Sequence, residues 1–187
     1  MGKQDGIFAG LLGAAFSFLR PAATSAPTSD PRTKVPVGSS APSPRGASIS
    51  GTQTVEVRPP AASALRLTYA PQRDGDPDAG EVIWAWVPYD ENDGRGKDRP
   101  VLVIARHSAE RVYAVRLTSK SHQGDRDFLS IGSGPWDSQG RESWVDIEQV
   151  YSVHIRGMRR EASALDREQF TRVASALHAR YGWAIEG

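Results

Sequence analysis

The 187-residue sequence contains no cysteine. That excludes disulfides, thiolate metal sites and cysteine nucleophiles together, and it leaves the redox compartment open. The four histidines, His107, His122, His154 and His178, fall at no ligand spacing such as HxxxH, so neither a metal nor any other cofactor is expected. There is no GxSxG, no GxxxxGK[ST], and no GxGxxG set between a strand and a helix. The commonest hydrolase and nucleotide-binding readings fall with them. Gly132-Ser133-Gly134, before Pro135 and Trp136, reads as a turn. Strong charge of one sign is also missing. Residues 1–65 carry six Lys/Arg against three Asp/Glu, a net +3, and residues 66–187 carry 17 against 19, a net −2. A protein that binds duplexes by general phosphate neutralisation is basic overall. If this chain handles nucleic acid, it does so in a localised groove.

The sequence divides into three parts: an apolar N-terminal segment (1–19), a linker (20–64) and a folded domain (65–187). Gly6–Leu19 is apolar over fourteen residues, short of the roughly twenty that span a bilayer. It fits an interfacial or partner-docking helix, or a flexible end. A secretory core is possible by length, but Asp5 cancels the charge of Lys3, and Pro27 follows the small-residue site at Ala26. Peripheral membrane contact through residues 6–19 is therefore one expectation within an otherwise cytoplasmic assignment. Residues 20–64 are rich in Pro, Ser, Thr and Ala, without apolar periodicity. Burial cannot offset the ordering entropy there, and the stretch reads as disordered.

The pattern changes near Ala64, where a short arm runs through Tyr69 to an acidic turn at Asp74–Asp78. Val82–Val87 is a β-branched and aromatic strand stopped by Pro88. One of its tryptophans, Trp84 or Trp86, is expected in the core. A polar loop follows from Tyr89 to Asp98. Pro100–Ala105 is a near-continuous apolar run, the mark of a strand buried on both faces. Arg111–Thr118 alternates, and shorter strand candidates are Phe128–Ile131, Ser143–Ile147 and Tyr151–Ile155. An amphipathic helix closes the chain. Asp166 and Gln169 form its capping box, Phe170, Val173, Ala174, Leu177 and Tyr181 share one face, and Gly182 ends it. The fold class is α+β, mainly β: a small curled sheet or barrel with a C-terminal helix.

The chemistry-bearing residues sit at strand ends. If the strands at 100–105 and 111–118 pair through the turn at His107–Glu110, their far ends bring Arg99 and Thr118 to one edge of the sheet. Lys97, Ser119 and Lys120 flank that pair as RNA-binding candidates. RNA carries its own nucleophile, the 2′-hydroxyl, so the protein must only orient the backbone and stabilise charge on a five-coordinate phosphorus. A guanidinium offers a planar fork for two phosphate oxygens, and a hydroxyl adds one donor. Arginine titrates too high for an easy general-base role. His122, four residues past Thr118, is the candidate for proton transfer. Trp136 and Trp144 are placed either to stack on unpaired bases or to plug the end of the barrel.

Gly80-Glu81-Val82-Ile83-Trp84, then Gly96-Lys97-Asp98-Arg99-Pro100-Val101-Leu102-Val103-Ile104, resemble the opening of MazF/PemK-family toxins. Leu117-Thr118-Ser119 is similar to that family's strand end, and Gly134–Ser138 with Ser143–Val145 to a branch with longer middle loops. The resemblance covers about 105 residues of the chain. It implies an SH3-like barrel, usually a homodimer, and a metal-independent endoribonuclease acting on single-stranded RNA. Arg99 and Thr118 match the catalytic arginine and threonine, and Tyr89–Asp98 matches the loop that gates the groove. A cognate antitoxin protein is the implied partner, with operator DNA reached through the antitoxin complex. Two features depart from the pattern: the acidic, glycine-rich insertion Ser121–Arg141, and Asp146-Ile147-Glu148-Gln149-Val150 where the family carries an apolar strand with "DQ". The competing reading is a non-catalytic SH3-like binding module tethered by its N-terminal extension.

Overall fold

In a computed structural model, the structure describes residues 51–72, 74–89 and 93–186. The apolar segment 6–19 and the linker up to residue 50 lie outside the described residues. Among them, strands and one α-helix follow in chain order: β1 (Val55–Val57), β2 (Arg66–Thr68), β3 (Glu81–Pro88), β4 (Gly96–Ser108), β5 (Arg111–Thr118), β6 (Phe128–Gly132), β7 (Ser143–Asp146), β8 (Val150–His154), β9 (Met158–Ala164), α1 (Arg167–Tyr181) and β10 (Ala184–Glu186). The main sheet runs β1-β8-β5-β4-β3-β9, with β7 branching from β5 and β6 from β7. β10 pairs β2 in parallel.

β5 makes the sheet curl. Over Arg111–Ala114 it pairs β8, and over Leu117–Thr118 it pairs β7. The β4–β5 ladder also shifts register between Val103 and Ala105 and again between Arg106 and Ser108; such bulges bend and twist a strand. The apolar run of β4 has the two-sided burial expected of it. Val101 and Val103 enter one core, together with Ile83, Ala85, Val87, Val112, Ala114, Tyr151 and Val153. Leu102 and Ile104 enter the other, with Val115, Leu117 and the helix residues Phe170, Val173, Ala174 and Leu177.

The helix forms as its sequence signals require. Asp166 accepts from the Gln169 N–H while the Gln169 side chain accepts from the Asp166 N–H, completing the capping box. Gly182 takes φ +73° and its N–H reaches the His178 carbonyl at 2.7 Å, the left-handed cap that glycine adopts without a Cβ penalty. Gln169 Nε2 donates to the Ile131 carbonyl, and the Tyr181 hydroxyl to that of Ile147, both at 2.9 Å. The helix thereby holds β6 and the turn after β7 in place.

Three expectations need correction, and one strand had no counterpart among them. Residues 51–64 are not linker: β1 lies antiparallel on β8, and buried Arg111 donates to the carbonyls of Gly51 (3.0 Å) and Gln53 (2.6 Å). The loop expected at Tyr89–Asp98 is shorter, because β4 stays paired with β3 down to Gly96↔Pro88. β9 had no apolar signal, and its place beside β3 comes from backbone pairing at Glu81–Ala85. Trp84 and Trp86 stand two residues apart on one strand and so share a face; neither is core, Trp84 being half-buried and Trp86 38% exposed.

Candidate functional site

The site begins where an apolar column ends. Cross-strand partners share a face, and the β4–β5 ladder runs Val103↔Ala114, then Val101↔Arg116. The ladder ends there; two residues further along each strand stand Arg99 and Thr118, and both line the same two cavities. The face that buries valine and alanine in the middle of the sheet thus presents a guanidinium and a hydroxyl at its edge. Arg116, two residues before Thr118, faces the same way.

Both members of the pair have unused hydrogen-bonding capacity. Arg99 Nε is buried with no hydrogen-bond partner. Thr118 Oγ1 accepts from the Lys120 backbone N–H at 3.1 Å, which leaves its own O–H free to donate. Two cavities meet at the pair. One, about 540 Å³, is walled by Lys97, Arg99, Thr118 and Ser119 on the sheet side and by Trp136 and Arg141 on the loop side. The other, about 170 Å³, is lined by Arg99, Arg116, Thr118, Lys120, His122 and Phe128. Five cationic side chains converge in a domain whose net charge is negative.

His122 shares the smaller cavity with Arg99 and Thr118. Its ring stacks on Phe128 at 3.5 Å between centroids and 11° between planes, and its Nδ1 lies 3.5 Å from Asp125 Oδ2. Stacking and the carboxylate fix the ring. Trp136 takes the second of its two expected places, the plug. It is 3% exposed, its Nε1–H donates to Ser143 Oγ at 2.9 Å, and it belongs to the helix-side core. A Cβ at Gly134 would fall 2.1 Å from the indole, so the ring lies flat against backbone. It is a wall, with no free face for a base. Trp144 is half-buried on β7, cross-strand from Thr118 and Ser130.

Several groups were missed. Arg116 Nε donates to Asp146 Oδ2 at 3.0 Å, while Asp146 Oδ1 accepts from the N–H groups of Glu148 (2.9 Å) and Gln149 (3.2 Å). The altered Asp146–Val150 segment is therefore the anchor of a site arginine. The even spacing of Arg116 and Thr118 on an alternating strand was the available signal. Arg141 Nε donates to Asp137 Oδ2 at 2.8 Å, and that contact, with the Gln139 N–H, holds the Asp137 carboxyl below its ordinary range. Arg159 pairs with Asp98 at 2.9 Å and lies 5.8 Å over the Trp84 ring. Among the described residues, no group of three or more His, Asp or Glu is placed to hold a metal ion, and no helix is long and apolar enough to cross a membrane.

Residues 78–180 match a family model described as the PemK-like, MazF-like toxin of type II toxin–antitoxin systems. Solved structures similar to this chain include an endoribonuclease in complex with its cognate antitoxin from a mycobacterial species, at 20% identity over 57% of this chain and 96% of that one, with a TM-score of 0.44. A MazE–MazF structure (Form-III) from Deinococcus radiodurans is similar at 18% identity over 58% of this chain and 98% of that one, TM-score 0.45. Toxin MazF-mt6 of Mycobacterium tuberculosis is similar at 16% identity over 54% and 97%, TM-score 0.39. A comparison with curated protein sequences finds no match.

Proposed function

The chain belongs to the PemK-like, MazF-like family of toxins of type II toxin–antitoxin systems, and from that premise we propose that it cleaves single-stranded RNA by attack of the 2′-hydroxyl on the adjacent phosphodiester. The observation that carries this reading is the Arg99–Thr118 pair at the junction of two cavities, with a buried guanidinium N–H that no protein group satisfies. A phosphate oxygen at that junction is an acceptor for the terminal amino groups of the Arg99 fork.

In the proposed step, Arg99 and the Thr118 hydroxyl donate to the non-bridging oxygens, where charge builds as phosphorus becomes five-coordinate. Each such preorganised donor lowers the barrier by roughly 3 kcal/mol in comparable sites. The 2′-oxygen forms a bond to phosphorus and its proton passes to His122 Nε2. The bond to the 5′-oxygen breaks, that oxygen takes up a proton, and the products are a 2′,3′-cyclic phosphate and a 5′-hydroxyl. The substrate supplies the nucleophile, so nothing in the step calls for a metal. Lys97, Ser119 and Lys120 guide the strand, and Arg116 adds positive charge from the inner face.

The same reading assigns a cognate antitoxin as partner, with a segment laid across the Arg99 groove, operator DNA contacted through that complex, and a homodimeric toxin. The test uses the full chain and single-stranded RNA in EDTA. Fragments ending in cyclic phosphate support the reading. RNA that stays intact at high protein concentration, or is cut only once magnesium is added, overturns it in favour of a binding module.

A further inference from the structure

The arm at residues 51–57, ahead of the family domain, is held from one corner of the sheet. Arg111 donates from its two terminal nitrogens to the Gly51 and Gln53 carbonyls, at 3.0 and 2.6 Å, and from Nε to the Ser152 hydroxyl at 2.9 Å. Val55 of β1 lies directly across from that serine. The Thr52 carbonyl rests so close on Gly157 that a Cβ there would fall 2.1 Å from it. Ser152 is fully buried. Its Oγ takes the Arg111 N–H on one side and lies 2.7 Å from His107 Nδ1 on the other. A guanidinium only donates, so the hydroxyl proton is directed at an unprotonated Nδ1. The chain from Arg111 through Ser152 to His107 is complete only with a neutral imidazole.

We propose that protonation of His107 releases the 51–57 arm from β8 while the rest of the sheet stays folded, so that the arm is an acid-sensitive strap. A protonated Nδ1 donates, and the buried Ser152 hydroxyl then loses its acceptor. A second positive charge also arrives beside Arg111, where little water screens it. The arm is the element that yields. It is held by Arg111 and a three-residue ladder, whereas β4 and β5 pair along most of their length. Burial first, and the Arg111 charge second, already hold His107 below the ordinary histidine range. The other titratable groups at this corner are differently engaged. Tyr113 of β5 stacks on the ring at 4.3 Å, and burial raises its pKa further from neutrality. His154 of β8, cross-strand from Arg111, accepts from the Arg156 N–H at 3.0 Å through Nδ1 and lies 3.7 Å from Glu110 through Nε2. Glu56, next to Val55, points to the opposite face. Release bares the outer edge of β8. It also removes one wall of a groove of about 400 Å³, in which residues 53–56 face Trp86, Pro88 and Tyr89. The inference stands apart from the ribonuclease reading.

The test is amide exchange on the full chain from about pH 7.5 to about pH 5.5, the range over which histidine titrates. Exchange is expressed as protection relative to the intrinsic rate at each pH. One proton taken up on opening shifts the opening equilibrium by at most about tenfold per pH unit. Protection at residues 51–57 should therefore fall by about five- to tenfold over the range, while Val101–Ala105 keeps its own. His107→Gln should hold the arm at one level of protection throughout, and His154→Gln should leave the fall in place. If His107→Gln loosens the fold, seen as lost protection at Val101–Ala105, His107→Phe takes its place; it keeps an aromatic ring on Tyr113 and should give the same flat profile. Arm protection that does not change with pH overturns the proposal, as does a loss shared equally by Val101–Ala105. A fall that survives the folded His107 variant, or one abolished by His154→Gln, overturns it as well.

Discussion

Arg116 and Asp146 form an ion pair at 2.8 Å in which the two side chains are 14% and 3% exposed. The pair ties β5 to the turn after β7 and keeps a guanidinium on the floor of the smaller cavity. Removing one partner of a buried pair leaves the other charged and unsatisfied, at a cost of about 3–5 kcal/mol. Asp146→Ala should therefore lower stability by about that amount, and it also releases the Glu148 and Gln149 amides. Guanidinium denaturation checks it. A midpoint equal to that of the unmodified chain would show the pair to be energetically idle.

Arg111 gives a second prediction. Buried at 6% exposure, it donates to two carbonyls of the 51–53 arm and to the Ser152 hydroxyl and carbonyl. Arg111→Met keeps much of the apolar stem and deletes every one of these bonds. With hydrogen bonds to charged donors each contributing about 1.5–3 kcal/mol, the loss should reach at least one such contribution. Faster amide exchange should concentrate at Val55–Val57, because β1 has β8 as its strand partner. Unchanged exchange there would contradict the clamp.

Acid should weaken the same corner. His107 stacks on Tyr113 at 4.3 Å, and its Nδ1 lies 2.7 Å from Ser152 Oγ. Burial first, and the Arg111 charge second, hold its pKa below the ordinary 6.5. A histidine depressed in the folded state contributes stability above 6.5, and that contribution is lost as pH falls from 6.5 through the folded value, because the unfolded chain takes up the proton first. Stability should decline across this window. The decline should be shallower in His107→Gln, measured by thermal denaturation at several pH values. Parallel profiles for the two proteins would remove His107 from the account.

Trp136 distinguishes a wall from a stacking platform. Trp136→Phe deletes the hydrogen bond to Ser143 and should cost about 1 kcal/mol, with RNA affinity changed little. An aromatic face that stacks on a base contributes roughly 1–3 kcal/mol, so a large loss of affinity at preserved stability would restore the stacking role.

Much of this was legible in the sequence because local and global signals agree. The two-sided burial of Val101–Ala105 followed from its unbroken apolar run, and the helix limits from Asp166, Gln169 and Gly182. The meeting of Arg99 and Thr118 followed from the hairpin that joins their strands. What stayed hidden lacks a local signature. β1 and β10 have three residues each and are made by pairing with distant partners. β9 is polar, and only its ladder with β3 makes it a strand. Arg116 and Arg141 look like any solvated arginine until Asp146 and Asp137, 30 and four residues away, fix their direction. Whether Trp136 stacks or plugs was open in the sequence; the close approach of its ring to Gly134 goes with the plug.

The Arg99–Thr118 pair is tested most directly by single-turnover cleavage of single-stranded RNA in EDTA, comparing the unmodified chain with Arg99→Ala and Thr118→Ala at matched stability. Loss of one charge-stabilising donor should slow cleavage by about 10²–10³-fold in the Arg99 variant, with a clear loss for Thr118→Ala. Cleavage by Arg99→Ala at the rate of the unmodified chain would contradict the account.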